Sequence, residues 1–246
     1  MEGYRLIPEK YRFLSNSGLK TIAVAAMLLD HIASTLLYDD MTVLFCFFGR
    51  MIGYYEIFRL IGRVAFPIYA FLLVEGFEHT CSRKRYALRL MLFALISEIP
   101  WNLEHTGSVF YAGQNVFFTL LLGYFGLCVT EKLNQDKGSM NKTPWLAQLF
   151  FLLFLSVILR ADFGASGFGF ILLLYILRKH PVFRAVTGTC FLPSQWRSGM
   201  AFIPIAFYNG RRGFIKSRSL QWLFYAVYPL HLLILYFICA AMGGYA

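Results

Sequence analysis

The residues best suited to chemistry lie in one apolar stretch near the start of the chain. The stretch from Leu19 to Tyr38, LKTIAVAAMLLDHIASTLLY, is long enough to cross a bilayer as a helix at about 1.5 Å per residue, yet Asp30 and His31 lie near its middle. A charged side chain at that depth costs about 2.5–3.5 kcal/mol. Such a residue is kept because it pairs inside a helix bundle or because it takes part in a reaction.

The same helix is predicted to carry a cation at the membrane surface. Lys20 lies eleven residues before His31. Eleven steps of about 100° return a helix to nearly the same face, roughly 16 Å farther along its axis. One face therefore presents Lys20 at the surface and the imidazole of His31 near the midplane.

Other polar residues are predicted to share the depth of this imidazole. Counted from the cytoplasmic ends of their spans, Asp30, His31, Glu98 and His231 all lie ten to twelve residues in. Arg63 enters from the opposite side, near enough to pair with Asp30 or Glu98. Five such groups in one layer exceed what helix packing requires, so they predict a polar pocket.

A second set of polar residues is predicted near the cytoplasmic face, and most of its members are basic. They are Lys20, Glu75, His79, Arg83, Arg85, Arg89, Arg211, Arg212 and Lys216. Lys and Arg side chains bind phosphate groups through charge-assisted hydrogen bonds. We expect Lys20, Arg89, Arg211, Arg212 and Lys216 to form a rim that holds the phosphates of an acyl-CoA.

Pocket and rim together predict acyl transfer. A neutral His31 takes a proton from an amine or hydroxyl as that group attacks a thioester, while Asp30 or Glu98 orients the ring and Arg63 balances the charge. Asn115 or Tyr228 is the candidate donor to the developing oxyanion.

Each residue also has a purely structural interpretation, which the sequence leaves open. Asp30 and Arg63 form an ion pair between helices, or Arg59 and Arg63 extend their guanidinium groups to the membrane surface. The basic loop 209–218 sets membrane topology, and His231 lies on a helix kinked at Pro229.

Composition places the chain among membrane proteins. It has 246 residues, 58% hydrophobic and 15% charged, with a mean hydropathy of +0.58, whereas soluble domains have about 25% charged residues. The net charge of +10 comes from basic residues in short loops, as the positive-inside rule produces, so nucleic-acid binding is not favoured. The five cysteines show neither a CxxC pair nor metal spacing, which indicates no disulfide framework and no metal site.

The apolar runs predict an all-α fold, a polytopic membrane helix bundle of about nine or ten transmembrane helices. Residues 1–18 are predicted to be a cytoplasmic interfacial segment and residues 19–246 a single transmembrane domain, in the bacterial inner membrane with a cytoplasmic N-terminus. No small-residue cleavage site follows the first span, so we expect it to be retained. The later spans are predicted at 57–77, 86–103 with a break at Pro100, 114–130, 145–159, 165–177 and 220–242.

Two regions have less regular patterns. Residues 42–55 are too short and too interrupted for a span, and we expect a re-entrant or surface helix there. Residues 183–208 make one long span or two short segments broken around residues 193–197. We prefer the two segments, because they return the basic loop 209–218 to the cytoplasm.

Several stretches also resemble one protein family, in the same order along the chain. They are LKTIAVAAMLLDHI, IGRVAFPIYAFLLVEGFEHT, RLMLFALISEIPWNL, QNVFFTLLLGY, FYNGRRG and FYAVYPLHL. Together they resemble the TraX family from Leu19 to His231. The family pattern often places Asp two residues after SEIP, where this chain has Trp101 and Asn102.

The resemblance implies a membrane protein that N-acetylates pilin subunits, using acetyl-CoA as co-substrate. The spacing of Lys20 and His31 is also similar to that of the larger transmembrane acyltransferases that O-acetylate surface polysaccharides, in which such a histidine is held to be catalytic. The expected partners are membrane lipid, acetyl-CoA and an acceptor peptide or glycan, while the oligomeric state is left open.

The sequence therefore predicts a membrane acetyltransferase acting on a pilin N-terminus or a surface glycan. The main alternative is a proton-coupled transporter or lipid flippase, because Asp, Glu and His also relay protons within membranes. Such transporters often contain paired repeats, and no convincing two-fold repeat is present. A purely structural membrane subunit is the third hypothesis.

Overall fold

The structure is a computed structural model that describes residues 7–38, 42–136, 141–192 and 196–244. These residues form α-helices, one short 3₁₀ helix and one β-hairpin, which confirms the predicted all-α class. The helices are α1 (Asn16–Leu36), α2 (Tyr54–Gly62), α3 (Ala65–His79), α4 (Arg83–Ile96), α5 (Glu98–Thr106), α6 (Val116–Gln135), α7 (Thr143–Ile158), α8 (Gly164–Ile176), α9 (Pro181–Phe191), α10 (Trp196–Gly199), α11 (Phe202–Ala206) and α12 (Arg218–Ala241). The 3₁₀ helix is Glu9–Tyr11, and the strands are β1 (Phe45–Phe47) and β2 (Arg50–Ile52).

Four of the described helical stretches are long and apolar enough to cross a membrane. They are Asn16–Leu36, Tyr54–His79, Val116–Gln135 and Arg218–Ala241, and two shorter apolar helices are Thr143–Ile158 and Gly164–Ile176. The chain is therefore a multi-pass membrane protein. The count of nine or ten crossings, the inner membrane and the cytoplasmic N-terminus stay predictions.

The described chain folds into two compact units. The first, which we call the Tyr124 unit, comprises residues 70–98 and 112–192, and the second, the His31 unit, comprises residues 7–69, 99–111 and 196–244. The prediction of one transmembrane domain is not tested by this division. Residues 1–6 of the predicted interfacial segment lie outside the described residues.

Close helix packing builds the Tyr124 unit. α6 packs against α4, α7 and α8. A side chain at Gly123 or Gly126 of α6 would overlap Ile171 or Phe168 of α8, so these glycines let the two backbones approach closely. The side chains of Phe77, Tyr124 and Tyr175 are almost completely buried beside them.

The His31 unit is organised around α1, which packs against α2 and α12. The side chain of Ser15 caps α1 by accepting a hydrogen bond from the amide of Gly18, 3.2 Å away. The helix then continues without interruption to Leu36. Lys20 and His31 therefore lie on one continuous helix, as predicted.

The predicted span at 86–103 breaks earlier than expected. α4 ends at Ile96, and α5 begins at Glu98, two residues before Pro100. The ring of a proline clashes with the carbonyl of the residue four positions earlier, which here is Ile96. The helix therefore ends at that carbonyl and restarts with Pro100 in its first turn.

The prediction of a re-entrant or surface helix at 42–55 is wrong. Residues Phe45–Phe47 and Arg50–Ile52 form an antiparallel hairpin, in which Phe47 is paired with residue 50. The two turn residues, Phe48 and Gly49, both have positive φ angles, of 46° and 75°. Consecutive positive φ angles are typical of the tight turns that match the twist of a hairpin.

Residues 183–208 contain short helices, in keeping with the preferred two-segment prediction. α9 ends at Phe191, and the much shorter α10 and α11 follow it. The predicted break begins at Pro193, and residues 193–195 lie outside the described residues.

Candidate functional site

His31 lies beside a carboxylate that the sequence prediction missed. Its Nδ1 atom is 3.8 Å from Oε1 of Glu104, which lies on α5. The side chain of Glu104 is only 5% exposed, and that of His31 is 15% exposed. At 3.8 Å the two side chains lie close together without a direct hydrogen bond.

Two further side chains contact the same carboxylate. The hydroxyl of Thr35, one turn after His31 on α1, donates a hydrogen bond to Oε1 of Glu104. Nδ1 of His105 lies 2.6 Å from Oε2. Glu104 is therefore shared by a hydroxyl and two histidines.

These neighbours keep Glu104 ionised. Glu104 lies on α5, outside the four helices that are long enough to span a membrane. Burial raises the pKa of Glu104, but the interactions with His105 and His31 lower it by more, so the pKa lies well below its usual range. An ionised carboxylate beside His31 stabilises the protonated form of the imidazole.

Three rings surround His31. The centroid of the His231 ring is 4.9 Å away and nearly perpendicular to it, at 83°. The ring centroids of Trp101 and Tyr228 each lie 6.3 Å from that of His31. Tyr228 and His231 come from α12 and are almost completely buried. The predicted meeting of His31, His231 and Tyr228 is therefore present.

The hydrogen bonding of His231 indicates which of its nitrogens is basic. Nδ1 lies 2.9 Å from the carbonyl oxygen of Val227, and only an N–H can donate to that carbonyl. Nε2 then carries the lone pair. This atom is buried and has no hydrogen-bond partner among the described residues.

Asp30 faces a different helix from His31. Its Oδ2 lies 2.8 Å from Nη1 of Arg59 on α2. Consecutive residues of a helix point about 100° apart, so Asp30 faces α2 while His31 faces α5 and α12. The prediction that Asp30 pairs with Arg63 and orients His31 is not what the structure shows. Arg59 is the partner of Asp30, and Glu104 is the carboxylate beside His31.

Glu98 and Asn115 belong to the Tyr124 unit, where they support the start of α6. Asn115 caps this helix by accepting a hydrogen bond from the amide of Phe117. Its amide group donates to Glu98, at 2.7 Å, and to the carbonyl of Ala94, at 2.8 Å. Both amide hydrogens are thus already used, which explains Asn115 without a role in binding an oxyanion.

Arg89, the remaining predicted rim residue, is also in the Tyr124 unit. Its guanidinium lies 5.5 Å from the ring centroid of Tyr86, a cation–π distance.

The other predicted rim residues meet at the beginning of α1. The amide of Asn16 donates to the carbonyl of Arg211, at 2.8 Å. The hydroxyl of the fully buried Ser17 donates to the carbonyl of Arg212, at 2.7 Å, and accepts from the amide of Ile215, at 2.9 Å. The basic loop 209–217 is thereby fixed against the first turn of the helix that carries His31.

Gly213 makes this close approach possible. Its φ angle is +80°, in the left-handed region that favours glycine. A side chain at this position would also overlap those of Ser15 and Ser17. The loop leaves the side chains of Arg211, Arg212 and Lys216 exposed, and Lys20 lies half-buried on the following turn of α1. We call these four cations the basic mouth.

The described residues contain no group of three or more His, Cys, Asp or Glu side chains arranged to hold a metal ion.

Comparison with known proteins gives one family and one relative. The family model described as TraX protein matches residues 15–239. The relative, from Dichelobacter nodosus, is described as "Probable fimbrial assembly protein FimC, serogroup H1" and is 28% identical over 246 residues, covering 88% of this chain and 92% of the relative. No solved structure matches the chain.

Proposed function

This chain belongs to the TraX family, and we propose that it is a membrane acetyltransferase that moves acetyl from acetyl-CoA to an amine or hydroxyl. The observation that carries the proposal is the buried pair of His31 and Glu104. His31 lies on α1, Glu104 lies beside it on α5, and the first turn of α1 is hydrogen-bonded to the basic loop.

His31 is the proposed general base. Glu104 lies on the Nδ1 side of the imidazole, so Nε2 is the nitrogen left to accept a proton. As the neutral amine of the acceptor attacks the thioester carbonyl, Nε2 takes its proton. The new C–N bond forms, the C–S bond breaks, and the departing thiolate recovers the proton. The products are an amide and CoA, and an attacking hydroxyl gives an ester in the same way.

Glu104 is the proposed positioning residue for this base. Its carboxylate is held by Thr35 and His105, so it can fix the ring of His31 and stabilise the charge that forms during attack. It replaces Asp30 and Glu98, the two carboxylates that the sequence suggested for this role.

His231 and Tyr228 complete the reaction site. The buried Nε2 of His231 offers an acceptor for an N–H or O–H of the attacking group. The hydroxyl of Tyr228 is the proposed donor to the oxyanion, because its ring lies beside both histidines.

The basic mouth is the proposed site for the phosphates of acetyl-CoA. Lys20, Arg211, Arg212 and Lys216 provide four cations at the first turns of α1, where the helix dipole also favours an anion. The rise along α1 from Lys20 to His31 is about 16 Å. That separation suits an extended pantetheine arm, with the phosphates at the mouth and the thioester at His31.

The relative suggests the acceptor. It is described as a probable fimbrial assembly protein, and fimbriae are built from pilin-like subunits whose N-terminal amine is a suitable nucleophile. We therefore propose the N-terminus of a fimbrial or pilin subunit as the first acceptor to test, with a surface glycan as the second, and the bacterial inner membrane as the location.

Acetyl transfer by purified protein tests the proposal. Protein in detergent would be incubated with acetyl-CoA labelled in the acetyl group and with a pilin subunit, and label in the subunit would be counted. We expect His31→Ala to abolish transfer and His180→Ala, which changes an exposed histidine of the Tyr124 unit, to retain it. Failure of the wild-type protein to bind acetyl-CoA, together with substrate accumulation in CoA-free vesicles, would favour the transporter hypothesis instead.

A further inference from the structure

Two arginines lie next to Asp30, Arg59 of α2 and Arg63 directly after that helix, and an ion pair accounts for the first of them. Nη1 of Arg59 lies 2.8 Å from Oδ2 of Asp30. Oδ1 of Asp30 is buried and accepts no hydrogen bond from any described residue. Arg63, one turn after Arg59, has no carboxylate within 4 Å in the part of the chain that the structure describes.

A glycine holds this arrangement together. A side chain at Gly62 would overlap the carboxylate of Asp30, so the backbone of α2 lies directly against that side chain. Arg59 and Arg63 flank the point of contact, three residues before it and one after it. Arg63 is thereby kept near Asp30 without bonding to it.

The charges around Arg63 leave an excess of positive charge. Arg59 and Arg197 repel it, and Asp30, which attracts it, is already neutralised by Arg59. Arg63 is half-buried in the stretch Tyr54–His79, which is long and apolar enough to cross a membrane. A cation in such a stretch is costly and marks a functional site by default.

The depth of Arg63 along its helix indicates a ligand that enters the protein rather than a lipid headgroup. Arg63 lies nine residues after Tyr54, about 13 Å along the helix axis from the start of the stretch. Lipid phosphates lie at the two ends of a membrane-spanning helix.

The position of Arg63 also relates it to His31. Ring contact joins Tyr38 to Tyr55, and close packing joins Asp30 to Gly62, so α1 and α2 run in opposite directions. Arg63 is then level with Asp30 and His31. The basic mouth lies at the beginning of α1, so the other end of the α1–α2 pair is left for the acceptor.

We propose that the guanidinium of Arg63 binds a carboxylate of the acceptor and so selects acceptors with an acidic residue near the reacting amine. This inference rests on the proposed function, since it assigns the acceptor side of the same site. Arg suits the task because its planar donors match both oxygens of a carboxylate.

Peptide binding tests this proposal separately from acetyl transfer. Wild-type protein in micelles without anionic lipid would be titrated calorimetrically with C-terminally amidated hexapeptides in which one of positions two to six is Asp or Asn. We expect the wild-type protein to bind at least one Asp peptide about tenfold more tightly than its Asn counterpart. Arg63→Gln should lose that preference, whereas Arg63→Lys should retain part of it. Arg85→Gln, which changes an exposed arginine of the Tyr124 unit, should leave it unchanged.

The outcomes separate this inference from the proposed function. An Asp preference that depends on Arg63, without any acetyl transfer, would support the carboxylate site at Arg63 and contradict the proposed acetyltransferase activity. Acetyl transfer without an Asp preference, or with one that survives Arg63→Gln, would overturn only the carboxylate site at Arg63.

Nanodiscs with and without phosphatidylglycerol provide the lipid control. Lipid binding that depends on Arg63, without a peptide preference, would assign the arginine to lipid and also overturn the inference. If Arg63→Gln is not monodisperse by size exclusion, the comparison is made with Arg63→Lys. The site would be rejected if Arg63→Lys kept the full Asp preference and added salt did not weaken binding of the Asp peptide.

Discussion

In the Tyr124 unit a carboxylate meets one arginine beside an aromatic ring, whereas in the His31 unit one carboxylate serves two histidines and a hydroxyl. Arg83 lies 3.0 Å from Glu131, and its guanidinium is 3.4 Å from the ring centroid of Phe77. Arg178 similarly lies near Glu78 and over the ring of Tyr175. Glu104, by contrast, is surrounded by groups that exchange protons.

The difference separates polar groups that hold helices together from polar groups that can move a proton. A one-to-one ion pair beside a ring neutralises charge and holds helices together, and an arginine keeps its proton at any working pH. An imidazole gains or loses its proton near neutral pH. The Tyr124 unit thus contains structural pairs, and the His31 unit contains the groups suited to reaction. Four substitutions, two in each unit, test that division.

Phe77→Ala should damage the Tyr124 unit without changing the chemistry. Phe77 is fully buried between the rings of Tyr124 and Tyr175, so its removal leaves a cavity. We expect the free energy of unfolding to fall by about 3–5 kcal/mol. Denaturant titration in detergent measures this, with Phe150→Ala, which is 70% exposed on α7, as the control. Equal losses in both variants would contradict the packing described for this unit.

Glu104→Gln should slow the reaction without damaging the packing of the His31 unit. The amide cannot stabilise a protonated His31, so we expect the acetylation rate to fall by about 100-fold, with the KM for acetyl-CoA unchanged. Initial rates with labelled acetyl-CoA measure both quantities. A variant that kept the wild-type rate would remove Glu104 from the mechanism.

Gly62→Ala should separate α2 from α1. The added methyl group overlaps the side chain of Asp30, and forced overpacking of this kind costs about 1–3 kcal/mol. Thermal unfolding would detect the loss, with Gly18→Ala as the control, because a methyl group at that position of α1 makes only ordinary van der Waals contacts. Equal losses in the two variants would contradict the overlap with Asp30.

Glu131→Gln should change least. Its ion pair with Arg83 is about one-third exposed, at 37% for the arginine and 32% for the glutamate. Exposed pairs contribute about 0–1 kcal/mol, so we expect a change in unfolding free energy below about 1 kcal/mol and no change in acetylation. A loss of activity as large as that of Glu104→Gln would end the distinction between the two units.

The sequence predicted the long apolar helices and several residues of the site. Uninterrupted apolar runs identified α1, α6 and α12, and the polar residues within α1 and α12 singled out His31 and His231. Such residues stand out because the surrounding sequence is apolar.

Contacts that depend on where a chain breaks were not predictable in the same way. Glu104 was missed because the span was ended at Leu103, whereas Pro100 lies in the first turn of a new helix that continues to Thr106. The signal was present in hindsight, since Trp101, Glu104 and His105 follow helical spacing. Whether Arg59 or Arg63 meets Asp30 depends on how the hairpin after α1 sets the register of α2, and the sequence does not reveal that register.

Chemical rescue of His31→Ala tests whether the imidazole of His31 is the base. His31→Ala removes the proposed base and leaves a space beside Glu104, so added imidazole can take its place. We predict that His31→Ala transfers no labelled acetyl to a pilin subunit on its own, and that imidazole restores transfer in this variant but not in Glu104→Gln. Undiminished transfer by His31→Ala without imidazole would show that His31 is not the base.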